Sequence, residues 1–182
     1  MAKLMSVILL FSSLGVVSTA TGIELVIGEQ RIEPGVVFIF EGAIKDQIVP
    51  ASMHLPQEET HVHIEARVNW DDQNIPAGTP PGGFVPYLRI SAKVTNQSTK
   101  LVTYIDLLPH INLIDNFHYA RNIALPGDIS DPYSVSFSVA PLSQDAVALH
   151  KDWLDSYGTP IVQEQVFEYK DIDFSEIANA SR

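Results

Sequence analysis

The chain contains no cysteine at all. That absence excludes a supporting disulfide, a thiolate zinc site, an iron–sulfur cluster and blue-copper ligation. Attachment to a membrane through a lipidated N-terminal cysteine is excluded with them. Any metal must be held by nitrogen, oxygen or thioether. Positive charge is also scarce, with 11 basic against 22 acidic residues and a formal net charge of −11. The balance argues against nucleic acid and anionic membrane surfaces and favours cations as partners. No His-Glu-x-x-His helix and no glycine-rich phosphate loop occurs. Long hydrophobic runs are confined to the start, "MAKLMSVILLFSSLGVVSTA". Its apolar part, Leu4 to Val17, is shorter than the roughly 20 residues a membrane span needs. Small residues follow at Ser18 and Ala20, so residues 1–20 read as a signal peptide and the protein as exported. Residues 21–182 then form a mature part of 162 residues (182 − 20), the size of one domain with its own core.

What is present is strand pattern. Candidate strands are 23–27, 37–44, 60–70, 84–95, 101–108, 133–140 and 161–169. In "YLRISAKV", Leu88, Ile90, Ala92 and Val94 share a face opposite Arg89, Ser91 and Lys93. In "YSVSFSV", Val135, Phe137 and Val139 oppose three serines. About seven short strands at this spacing imply an all-β, immunoglobulin-like antiparallel β-sandwich of a single domain. One stretch, "SQDAVALHKDWL", has helical spacing, and the acidic tail "DIDFSEIANASR" reads as frayed. Asn96 and Asn179 each open a glycosylation sequon, a pattern common by chance.

The stretch "THVHIEARVNW" carries the functional question. Side chains alternate along a strand, so Val62, Ile64, Ala66 and Val68 point to a core. His61, His63, Glu65 and Arg67 point the other way, onto either a solvated face or a site. Four further histidines are His54, His110, His118 and His150. His110 follows a strand, His118 lies eight residues on with Asp115 three residues before it, and His150 precedes the last strand. Segments so placed can converge at one edge of a sandwich. Imidazole suits copper, zinc, iron and nickel, and an added carboxylate admits harder cations such as manganese or ferrous iron. On spacing alone, a histidine metal site and unrelated surface histidines both remain open.

Four stretches, in order, resemble the bacterial periplasmic iron-transport proteins, the family that includes the treponemal pathogen-specific membrane antigen. They are "MHLPQEETHVHIEA" (53–66), "GGFVPYLRISAKVTN" (82–96), "LLPHINLIDNFHYARNI" (107–123) and "LHKDWLDSYGTPIV" (149–162). The third is the most specific, with Asp, His, Tyr and Asn in the family's order. The resemblance implies a copper-binding site at His63, Glu65, His118 and His150, with Asp115 and Glu65 implicated in a second cation, iron or manganese. The family's methionine ligand falls on His110, and replacing a thioether by imidazole shifts preference from Cu(I) towards Cu(II) or another borderline divalent ion. The family's aspartate after the glutamate is Arg67 and its second strand histidine is Asn69, so affinity at a second site is expected to fall. His54 and His61 are expected to be solvated or to make a secondary cation contact. The resemblance further implies a homodimer and an inner-membrane iron permease as partner. Oxidation of iron by copper, brief storage and simple delivery are all compatible with it. The rival readings are a copper-buffering chaperone, a sandwich with incidental histidines, and an enzyme similar to copper–zinc superoxide dismutase, whose cysteine pair and glycine-rich loops are absent here.

Overall fold

The computed structural model describes residues 23–143, 146–158 and 160–181. The signal-peptide assignment of residues 1–20 lies outside the described residues. Eight strands follow in chain order: β1 (Glu24–Ile32), β2 (Val36–Ala43), β3 (Val62–Trp70), β4 (Leu88–Asn96), β5 (Val102–Ile111), β6 (Phe117–Ile123), β7 (Tyr133–Pro141) and β8 (Gln165–Ile172). Two short helices, α1 (Lys151–Tyr157) and α2 (Ser175–Asn179), flank β8. The strands are hydrogen-bonded in the order β1-β2-β3-β6-β5-β4-β7-β8, every pairing antiparallel. The expected antiparallel β-sandwich is therefore the fold, with β5 stitching its layers together. Val102 to Leu107 pair with β4, and Leu108 to Ile111 pair with β6.

The alternating residues fill the space between the layers. Phe38, Phe40, Ile64, Ala66 and Val68 meet Ile90, Ala92, Val94, Val135, Phe137 and Val139, all buried. Phe40 stacks on Phe137 with ring centroids 4.1 Å apart. Burying a side chain of this size contributes about 1.5–3 kcal/mol, and the period-two pattern sets which side chains make that contribution.

The structure departs from the sequence expectation at its joints. The segment expected to be one strand from 84 to 95 is two things. Phe84 bridges Asn69, and the Val85 amide donates to the Val68 carbonyl, before the chain crosses layers at Tyr87, whose φ is +65°. β6 was absent from the expected strands. Of the stretch with helical spacing, Gln144 and Asp145 lie outside the described residues, and among the described ones the helix begins at Lys151, with His150 extended at its N-cap. The tail is packed, not frayed: Phe174, Ile177 and Ala178 are buried, and the Phe174 ring meets that of Tyr133 at 5.6 Å. Asn96 is fully buried and donates to Asp131, so its sequon offers no accessible acceptor in the folded protein.

Candidate metal centre

The face of β3 that points away from the core is not solvated. His63 and Glu65 are buried there, as is His118 across the sheet on β6. Register explains the gathering. Glu65 stands opposite Ala120, His63 opposite Asn122, and His110 of β5 opposite His118. Partners in register share a face, so two neighbouring strand pairs deliver three imidazoles to one spot. One ring nitrogen from each of His63, His110 and His118 lies within 4.8 Å of the others.

Outer hydrogen bonds fix which nitrogen each ring presents. The Asn122 amide donates to the carbonyls of Asp46 and Leu55, at 2.9 and 3.1 Å. Carbonyls only accept, so the Asn122 oxygen is the atom left for His63, and Nδ1–H of His63 donates to it at 2.8 Å. His118 Nδ1–H likewise donates to the carbonyl of Asn116 at 3.3 Å. Both rings thus present an Nε2 lone pair. These atoms stand 3.9 and 3.8 Å from the same oxygen of Glu65. Two lone pairs around a buried carboxylate repel unless a proton or a cation lies among them.

The electrostatics repeat the point. Burial first, and then the charges of Asp115, Glu41 and Glu24, push the Glu65 carboxyl up to about 8. Burial, followed by the neighbouring His63, His118 and His54, pulls His110 down to about 3. Burial also lowers His118, and burial with the nearby Arg121 charge lowers His54. His110, His118 and His54 are therefore biased towards the neutral form, the form of imidazole that binds metals. Among the described residues, three buried side-chain polar atoms have no hydrogen-bond partner: His54 Nδ1, Glu65 Oε1 and His110 Nε2. All three belong to this cluster. A borderline divalent ion suits this nitrogen and oxygen donor set.

A cavity of about 520 Å3 opens onto the cluster, lined by His63, Glu65, His110, Asp115, His118 and Glu24 among others. Glu24, Glu65 and Asp115 form a second group, with one oxygen from each within 4.8 Å of the rest. Asp115 is set by the β5–β6 turn, where Asn112 donates to its carboxylate at 2.8 Å and accepts its amide at 2.6 Å. Arg67 does not pair with Glu65; its guanidinium forks onto Glu41 of β2.

Five of the six sequence-derived ligands, His63, Glu65, His110, Asp115 and His118, are thus brought together within one chain. His150 is not; it is exposed at the start of α1 and absent from both groups. His61 is used structurally, its Nδ1 accepting the Leu125 amide at 3.0 Å. His54, expected to be solvated or a secondary contact, packs edge-on against His110 with ring centroids 5.1 Å apart. Glu24 and Asn122 were missed outright. A signal for Asn122 was present, since it closes the Asp, His, Tyr, Asn order of the third motif.

Fold and site together define a class: an antiparallel β-sandwich with a buried, cation-seeking cluster of histidines and carboxylates on the outer face of one layer. The chain belongs to the Fe2+ transport protein family, whose model matches residues 21–176. It is 32% identical over 96 residues to the 34 kDa membrane antigen of Treponema pallidum, covering 53% of this chain and 46% of that protein, so under half of the relative's length is matched. A UPF0423 protein of Brucella abortus is 27% identical over 163 residues, 86% of this chain and 87% of the relative. Similar solved structures include a copper-bound variant of FetP from uropathogenic Escherichia coli, at 23% identity and a TM-score of 0.66, covering 81% of this chain and 95% of that one. Copper-reconstituted P19 from Campylobacter jejuni matches with a TM-score of 0.67 and 23% identity, covering 82% of this chain and 95% of that one.

Proposed function

We propose that this is a periplasmic protein of iron uptake that binds Cu(II) at His63, His110 and His118, with Glu65 completing the site. The observation that carries the reading is the pair of fixed Nε2 lone pairs facing a buried carboxylate with an unpartnered oxygen. Copper held there supplies a one-electron couple. Family membership favours an iron role over plain copper buffering. The iron cargo, or manganese in its place, would be taken by Glu24, Glu65 and Asp115, so that Glu65 addresses both positions. His54 adds a further imidazole beside His110. With no sulfur ligand in the cluster, the donor set favours Cu(II) over Cu(I).

The working form is a homodimer that hands iron to an inner-membrane permease. Ile111, Leu113, Ile114 and Phe117 are exposed together at the turn beside the cavity mouth, an apolar rim suited to burial against a second chain. His150, exposed and outside the cluster in its own chain, would then be offered to the partner's site. Export through the 1–20 segment supports the periplasmic location.

Competitive titration of residues 21–182 with Cu(II) tests the reading. One tight site per chain is expected, abolished in His118→Ala and weakened in His110→Ala. Absence of a tight site in the unaltered protein would overturn it.

A further inference from the structure

Arg67 has two carboxylates within reach. It shares a strand face with Glu65, two residues away and therefore roughly 6.6 Å along β3. Glu41 of β2 stands directly opposite Glu65 in register. The guanidinium commits wholly to Glu41, with Nε donating to one oxygen at 2.6 Å and Nη2 to the other at 2.7 Å. Glu41 is 1% exposed, whereas Glu65, equally buried, keeps one oxygen without any hydrogen-bond partner. Like charges directly opposite each other on neighbouring strands repel. Here one of the two is neutralised by a directional, two-pronged pair, and the other is left for something else.

We propose that Glu41 is a tether that holds Arg67 off Glu65, and that this pair decides whether Glu65 is available to a cation. The proposal rests on the metal reading above and deepens it: Arg67 and Glu41 are positioning residues that touch no ion themselves. With the tether in place, the β3 face offers the cluster a single open carboxylate. With Glu41 neutralised, the guanidinium swings two residues back along its own strand and occupies the Glu65 oxygens.

The test compares Glu41→Gln, Arg67→Gln and the double variant, each titrated separately with Cu(II) and with Mn(II), with circular dichroism reporting the fold. Glu41→Gln is expected to weaken both ions by about tenfold or more, the worth of a charge-assisted pair formed in competition. Arg67→Gln should not weaken them, and the double variant should regain the unaltered affinity because no guanidinium remains to compete. A merely structural pair predicts the reverse, with both single variants impaired alike and no recovery in the double. Glu41→Asp, which keeps the charge on a shorter stem, should show an intermediate loss and serves if Glu41→Gln does not fold. Unaltered affinity in Glu41→Gln, or a double variant as weak as Glu41→Gln, would overturn the tether. An unaltered protein that binds neither ion would instead remove the metal reading, and the tether with it.

Discussion

Asn122 acts on the centre without facing its interior. Its amide is locked by two backbone carbonyls, its oxygen takes the Nδ1–H of His63, and the His63 lone pair is thereby aimed at Glu65. Partners of this kind orient a metal-binding ring, and their loss costs about 10–100-fold in affinity. Asn122→Leu is accordingly expected to weaken Cu(II) binding within that range while leaving His110 and His118 in place. Titration of the variant beside His63→Ala checks it; affinity equal to the unaltered protein would show that His63 needs no such orienting bond. At this scale the sequence was informative where chemistry runs along the chain. His63 and Glu65 were legible from alternation, His118 and Asp115 from their spacing and motif. Glu24 was not, and His54 only as a solvated residue or secondary contact, because they reach the cluster from β1 and from the segment before β3. Cross-strand register, which a single sequence does not display, brings Glu24 there through Ala43 to His63, and the fold of the loop before β3 brings His54.

Elements were legible where the period of two was clean and both flanks were turns. β4 and β7 are the clearest cases. β6 was lost because the residues before it, "INLIDN", carry turn formers, and the β5–β6 hairpin closes there with Asn116 at a φ of +62°. The C-terminal segment was lost for another reason. Its short acidic sequence has no periodicity, yet Phe174, Ile177 and Ala178 pack into the core. Gly42 makes room for this: a Cβ there would stand 3.2 Å from the Phe174 ring. The Lys45 ammonium donates to the Ala178 carbonyl and ties α2 to the chain just after β2. Phe174→Ala should therefore cost about 3–5 kcal/mol, as expected for a large side chain removed from a closed core. Urea unfolding measures the loss; a cost below about 1 kcal/mol would mean the tail is a loose appendage.

For the whole molecule, two buried groups make stability depend on pH in opposite senses. Glu65 titrates near 8 in the folded protein against an ordinary 4.5. Between those values the folded state keeps a proton that the unfolded chain has released, so stability falls as pH rises through the window. His110 titrates near 3 against an ordinary 6.5. There the unfolded chain binds the proton that the folded state refuses, so stability falls as pH drops below about 6.5. The lowered His54 and His118 add to the acid side. Between about pH 4.5 and 6.5 the Glu65 and His110 slopes cancel and the lowered His54 and His118 tip the sum upward, so the metal-free protein should be most stable near pH 6.5 and lose stability on both sides. Net charge of −11 also destabilises at high pH through self-repulsion, so the Glu65 contribution must be isolated. Glu65→Gln does that, and its alkaline limb should be flatter than that of the unaltered protein. Cu(II) should act in the same direction by another route, since a bound cation stabilises ionised Glu65 and its stabilisation grows as the competing proton leaves. Thermal melts across this range, with and without Cu(II), decide the matter. If Glu65→Gln and the unaltered metal-free protein fall together above pH 6.5, the buried carboxyl is not the group that ties the stability of the fold to its cation.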